Sequence, residues 1–167
     1  MEKFLGMIKK KGFDLLEEMN DLSEEDKVGN YLAEYIYENK EEIYKGFMQK
    51  YPQISVDEYS LETISEWFDF FEKRYTFYKS GSLEVLKDDE LKELEEVAVF
   101  LGMMLEKHLS GKWKFYKFKS ESSVLIENMQ TLDDGINLVD SIRAALEAKN
   151  IMFMKSEFED FYEERTF

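Results

Sequence analysis

The chain has no cysteine, one proline and one histidine in its 167 residues. Without cysteine, neither a disulfide nor a thiolate metal site can form, and a reducing compartment suits the chain. The single histidine, His108, excludes the two-histidine metal sites of zinc and di-iron proteins. No run approaches the roughly 18 apolar residues of a membrane span. The segment Met1 to Lys11 places three of its four lysines after a short apolar patch, the reverse of a signal peptide. A soluble, cytoplasmic protein is therefore expected. Basic residues are scarce: 22 Lys and Arg stand against 37 Asp and Glu, for a net charge of −15. Phosphate backbones and anionic bilayers repel such a chain, so neither a nucleic-acid nor a membrane partner is expected. A basic protein would be attracted and its encounter accelerated.

What the chain has in plenty is aromatic side chains: 14 Phe, 10 Tyr and 2 Trp. With 35% charged residues, this composition suits a packed core under a solvated surface. The length fits one domain over residues 1–167, since domains commonly hold about 100–200 residues. There is no internal repeat, low-complexity tract or linker.

The stretch from Val97 to Leu105 carries no charge and no hydrogen-bonding side chain. A helix apolar all round has no face for water and belongs inside the protein. Leu91, Leu94, Val97, Ala98, Leu101, Leu105 and His108 recur at helical spacing. This predicts a central buried helix over about 89–110, capped by Asp88 or Asp89. Acids in its early turns would favour the dipole, and Gly111 would close it as the left-handed residue.

Around this core the periodicity predicts a helix over 3–20 and a second from about 24 towards Lys50, with Ser23 as N-cap. Pro52 would stop the second helix. Tyr37, Tyr44 and Tyr51 recur every seven residues, flanked by Glu34, Glu38 and Glu41. Tyrosine among carboxylates suits a partner-binding face, because the ring offers much contact area at little cost in order. A third helix, about 61–78, would carry a wide aromatic stripe from Leu61 to Tyr78. Past Gly111 the period shortens, predicting a β-hairpin over about 112–127 with a turn at 119–122. Residues 131–135 would form a loop. Asn137 caps a further helix with Asp140, and Ser156 with Glu159 caps a short last one. The expected class is α+β, mostly helical.

Little of this points to chemistry. His108, the default base near neutral pH, falls in the last turn of the central helix, where an imidazole bonds the final carbonyls. The acidic clusters sit at helix starts and turns, as capping requires. Asp133 to Asn137 lacks the alternating ligands of a calcium loop. Gly-rich phosphate loops and nucleophile elbows are absent. No catalytic residue, metal or cofactor is expected.

Val97 to Trp113 and the following hairpin resemble a widespread set of uncharacterised bacterial domains. Their pattern runs Leu-Gly-x-x-Leu-Gly-Glu, about six further residues, then Gly-Gly-x-Trp. Leu101-Gly102 and Ser110-Gly111-Lys112-Trp113 stand at the matching places. The resemblance covers about residues 91–163, and Met103 replaces the family's glutamate, so no function of that acid carries over. It implies a glycine that admits a close neighbour. Such domains resemble small acidic immunity and accessory proteins of bacterial toxin systems. The expected function is thus non-enzymatic binding of a basic, toxin-like protein through Glu34, Tyr37, Glu38, Glu41, Tyr44 and Tyr51. The alternatives are a structural module, with the aromatic excess burying a homodimer interface, and a hydrolase using a carboxylate pair.

Overall fold

The computed structural model describes residues 22–132 and 135–165; the helix expected over 3–20 lies outside them. Five α-helices and one three-stranded antiparallel sheet make an α+β fold among the described residues. The helices are α1 (Glu24–Lys50), α2 (Leu61–Arg74), α3 (Asp88–Leu109), α4 (Leu138–Ala148) and α5 (Met152–Glu164). The strands are β1 (Lys112–Phe118), β2 (Glu121–Glu127) and β3 (Gly135–Asn137), in the order β1-β2-β3.

The central helix is α3. Val97 to Leu101 are fully buried, as are Met104 and Leu105. Phe100 gathers rings from two other helices, with centroids 5.2 Å from Phe47 of α1, 5.4 Å from Trp67 and 5.8 Å from Phe71 of α2. Each such ring, removed from water, contributes on the order of 2–3 kcal/mol. At its C-terminal end α3 turns sharply into the hairpin. Ser110, not Gly111, takes the left-handed conformation (φ 58°), and the Gly111 amide bonds back to the Leu105 carbonyl. Glycine is required at 111 for a different reason: a Cβ there would collide with Ile126 of β2.

The hairpin lies with Trp113 and Phe115 facing inward, opposite Ile126 and Val124. Trp113 packs its six-membered ring against Gly102 of α3, leaving no room for a Cβ, and Phe115 stacks on Tyr37 of α1 at 5.6 Å. Strand β2 begins at Glu121 rather than Ser123, because Asn30 of α1 holds the turn from below. Its amide donates to the Ser120 carbonyl (2.6 Å), and its carbonyl accepts from the Ser122 amide (2.9 Å). The expected loop at 131–135 runs into a third strand: β3 pairs with Leu125 to Glu127. Gly135 permits this by lying directly against the Ile126 carbonyl.

Helix α1 keeps the expected bounds, with the Ser23 hydroxyl accepting from the Asp26 amide at 3.1 Å. Asn137 caps α4 through the Asp140 amide, also at 3.1 Å. Three boundaries differ from expectation. Helix α2 stops at Arg74, because Glu93 of α3 accepts from the Thr76 and Phe77 amides (3.0 and 3.1 Å) and draws the chain into a 3-10 turn, Phe77–Ser80. Helix α3 has Lys87 at its cap, with the Glu90 carboxylate accepting from the Lys87 amide. Helix α5 starts at Met152, where the Asn150 side chain accepts from the Met152 amide; Ser156 lies inside the helix and donates to the Phe153 carbonyl.

Candidate functional site

The sequence places its candidate residues on α1, and the geometry sorts them. Glu34, Tyr37, Glu38 and Glu41 lie within two turns of the helix, with Glu38 and Glu41 exposed and Glu34 and Tyr37 half-buried. Tyr37 is held between Phe115 and the Lys40 ammonium, which lies 4.2 Å from its centroid. Asn39 does not interrupt the helix; its amide donates to the Tyr35 carbonyl at 2.9 Å. Tyr44 stands about 10 Å further along and is half-buried near Lys107 and Asp57. Burial pushes its phenol up, Lys107 partly offsets this, and Asp57 adds to it. Tyr51 is not on the helix at all. It forms the C-cap (φ −130°) and packs into an aromatic corner of α2, 4.9 Å from Phe70 with the Arg74 guanidinium 5.0 Å over its ring. The three tyrosines thus face the hairpin, the end of α3 and α2 in turn. The carboxylates gather around the first of them.

A second concentration of polar groups lies between α1 and α3, and it is absent from the sequence reading. A cleft of about 300 Å³ is lined by Glu42, Ile43, Phe47, Lys50, Glu95 and Glu96. Glu95 is buried, 5% exposed. Burial and the Glu95 charge push up the phenols of Tyr31 and Tyr35, whose rings stack at 5.6 Å. Both therefore stay protonated donors well above neutral pH. Glu96 accepts from Lys50 (2.9 Å) and from the Tyr75 hydroxyl (3.2 Å). The early acids of α3 have separate tasks: Glu93 stops α2, Glu95 lines the core side, and Glu96 ties α1 to the end of α2. One signal for Glu95 was present. It stands four residues after Leu91 and three before Ala98, on the apolar stripe.

His108 bonds elsewhere than expected. Its Nε2–H donates to the Val56 carbonyl at 2.9 Å, and its ring lies 5.8 Å from Tyr59. It fastens the 51–60 loop to α3, where Trp67 also donates to the Ser55 carbonyl (2.7 Å) and Tyr59 to that of Phe158 (2.6 Å). No protein-family model, curated protein or solved structure matches the chain. The arrangement is read on its own chemistry. Among the described residues no group of three or more His, Asp or Glu is placed to hold a metal ion, and no helix is long and apolar enough to cross a membrane.

The hairpin adds exposed aromatic surface that alternation in the sequence had blurred. Lys112, Lys114, Tyr116 and Phe118 share its outer face, with Tyr116 48% and Phe118 72% exposed. The Tyr116 hydroxyl donates to the Glu127 carboxylate across the strands at 2.8 Å. Tyr37 stacks on Phe115, on the face of the hairpin opposite to Tyr116 and Phe118.

Proposed function

We propose that this chain is a non-enzymatic, cytoplasmic protein-binding protein of the immunity or accessory kind. It neutralises a basic, toxin-like protein through the outward side of α1. The observation that carries this reading is the strip around Tyr37, where Glu38 and Glu41 are exposed beside a half-buried ring on a helix fixed from behind by α3 and the hairpin. A rigid helix presents such a face without an ordering penalty on binding. Its carboxylates steer and orient a cationic partner, and tyrosine rims supply apolar contact. The net charge of −15 extends the attraction beyond the contact itself, limited by salt to about 10 Å.

The product of the adjacent open reading frame in the source genome is the partner to try. Copurification followed by calorimetry at low and high salt should give binding that weakens steeply with salt. The double variant Glu38→Lys/Glu41→Lys should weaken it by about tenfold or more while leaving the circular dichroism unchanged. Equal affinity at both salt concentrations, or in the folded variant, would count against this face.

A further inference from the structure

The strand order leaves β1 at the edge of the sheet, with β2 on one side and no strand on the other among the described residues. An edge strand presents a row of backbone N–H and C=O groups that a second strand can pair with. We propose that β1 pairs antiparallel with β1 of a second copy of this chain, about a two-fold axis through Phe115, so that the two sheets become one. This inference is independent of the partner proposed above.

The pattern Lys112-Trp113-Lys114-Phe115-Tyr116-Lys117-Phe118 carries the argument. Residues opposite each other in an antiparallel ladder must project on the same face, so the available registers differ by shifts of two residues. In the register centred on Phe115, Lys112 lies opposite Phe118, Trp113 opposite Lys117, and Lys114 opposite Tyr116. Phe115 meets its own copy. Every lysine faces an aromatic ring and none faces a lysine, which is the favourable cross-strand arrangement for both residue types. A shift of two residues one way sets Lys114 against itself. The opposite shift drops Lys112 and Trp113 from the ladder.

Two copies of a −15 chain repel least where acids do not face acids. Strand β1 has no acid among its seven residues, although its three lysines repel those of the copy. Lysines on an edge usually deter pairing; here they deter the wrong registers and leave one that is satisfied. The exposed rings of Tyr116 and Phe118 then become the apolar contact of the joined outer face.

Light scattering and sedimentation equilibrium on the full chain test this directly, and a mass twice that of the chain is expected at the upper end of a concentration series. Tyr116→Lys sets a second cation against Lys114 of the other copy at both symmetric positions. It should weaken the dimer by roughly tenfold or more. Lys114→Glu/Tyr116→Lys turns both opposed pairs into Glu–Lys pairs and should restore it. Hydrogen exchange reads the wild type without any variant: the β1 amides that point away from β2 should exchange more slowly as concentration rises. A wild-type monomer at every concentration, concentration-independent exchange, an undiminished Tyr116→Lys dimer or a folded double variant that stays monomeric would each overturn the proposal.

Discussion

Replacing Gly102 by alanine tests the junction on which the hairpin depends. In an ordinary helix interior, Gly→Ala gains about 1 kcal/mol from backbone entropy. Gly46 of α1 offers that ordinary case, because among the described residues nothing lies within 4 Å of a Cβ placed there. Gly46→Ala should therefore stabilise by roughly 0.5–1 kcal/mol. At Gly102 the same gain meets an obstacle. The new Cβ would overlap the six-membered ring of Trp113, and Leu138 Cδ1 would stand only 3.1 Å away. Trp113 is 8% exposed and fixed by its place in β1 opposite Ile126, so the ring cannot swing into solvent. Overpacking of this kind costs about 1–3 kcal/mol. A rigid ring held by a strand belongs in the upper half of that range. The net effect is a loss of roughly 1–2 kcal/mol, opposite in sign to Gly46→Ala. Urea denaturation followed by circular dichroism measures both. Trp113→Phe supplies the control, since the shorter ring vacates the overlapped space. In that background Gly102→Ala should lose most of its penalty, a coupling on the order of 1–2 kcal/mol in a double-mutant cycle. If both glycines respond alike, or if the Gly102→Ala penalty survives in the Trp113→Phe protein, the close approach is not what Gly102 provides.

Two further positions give measurable outcomes. Burial pushes the Glu93 carboxyl above its ordinary 4.5, against the pull of the Thr76 and Phe77 amides, with Glu90 and Asp89 adding to the rise. Its folded value is raised, so its contribution to stability is complete below pH 4.5 and is lost as pH climbs through the raised value. Glu93→Gln keeps an acceptor for both amides without the charge. Its melting temperature should rise relative to wild type between pH 4.5 and neutrality, and an unchanged difference would refute the linkage. Asn30→Ala leaves the Ser120 carbonyl and the Ser122 amide without their partner beneath the hairpin turn. It should cost about 1–3 kcal/mol in urea denaturation, with Asn30→Asp intermediate because it retains only the acceptor.

Several features of this protein are written within a few residues of where they act. Ser23 with Asp26, and Asn137 with Asp140, define two helix starts because a side-chain cap reaches only to the third residue. The uncharged run Val97 to Leu105 specifies a buried helix by leaving no face for water, and the alternation after Gly111 specifies the hairpin. Lysines and acids at helical spacing mark which side of α1 meets solvent, so Glu38 and Glu41 were legible as surface. The fates of the tyrosines between them were not. An α-helix drifts by about 20° over seven residues, and Tyr51 falls beyond the last turn, so equal spacing carried Tyr37, Tyr44 and Tyr51 to three different neighbours.

Tertiary structure decided wherever a group is satisfied by something distant in the chain. Glu93 ends α2 by taking amides from residues 17 and 16 positions away. His108 turns from its own helix to Val56, a contact across 52 residues. Gly111 is small because Ile126 occupies its side, and Gly135 because the Ile126 carbonyl does. Glu95 reads in sequence as one acid among several in a helix start. Only the packing of α1 on α3 makes it a buried carboxyl beside Tyr31 and Tyr35. The sequence alone determined which segments become the helices and the hairpin, because caps and periodicity act over one or two turns, whereas β3 and the end of α2 depend on distant partners. The junctions between elements, and with them every candidate binding surface, arose from side chains that meet only once the chain has folded.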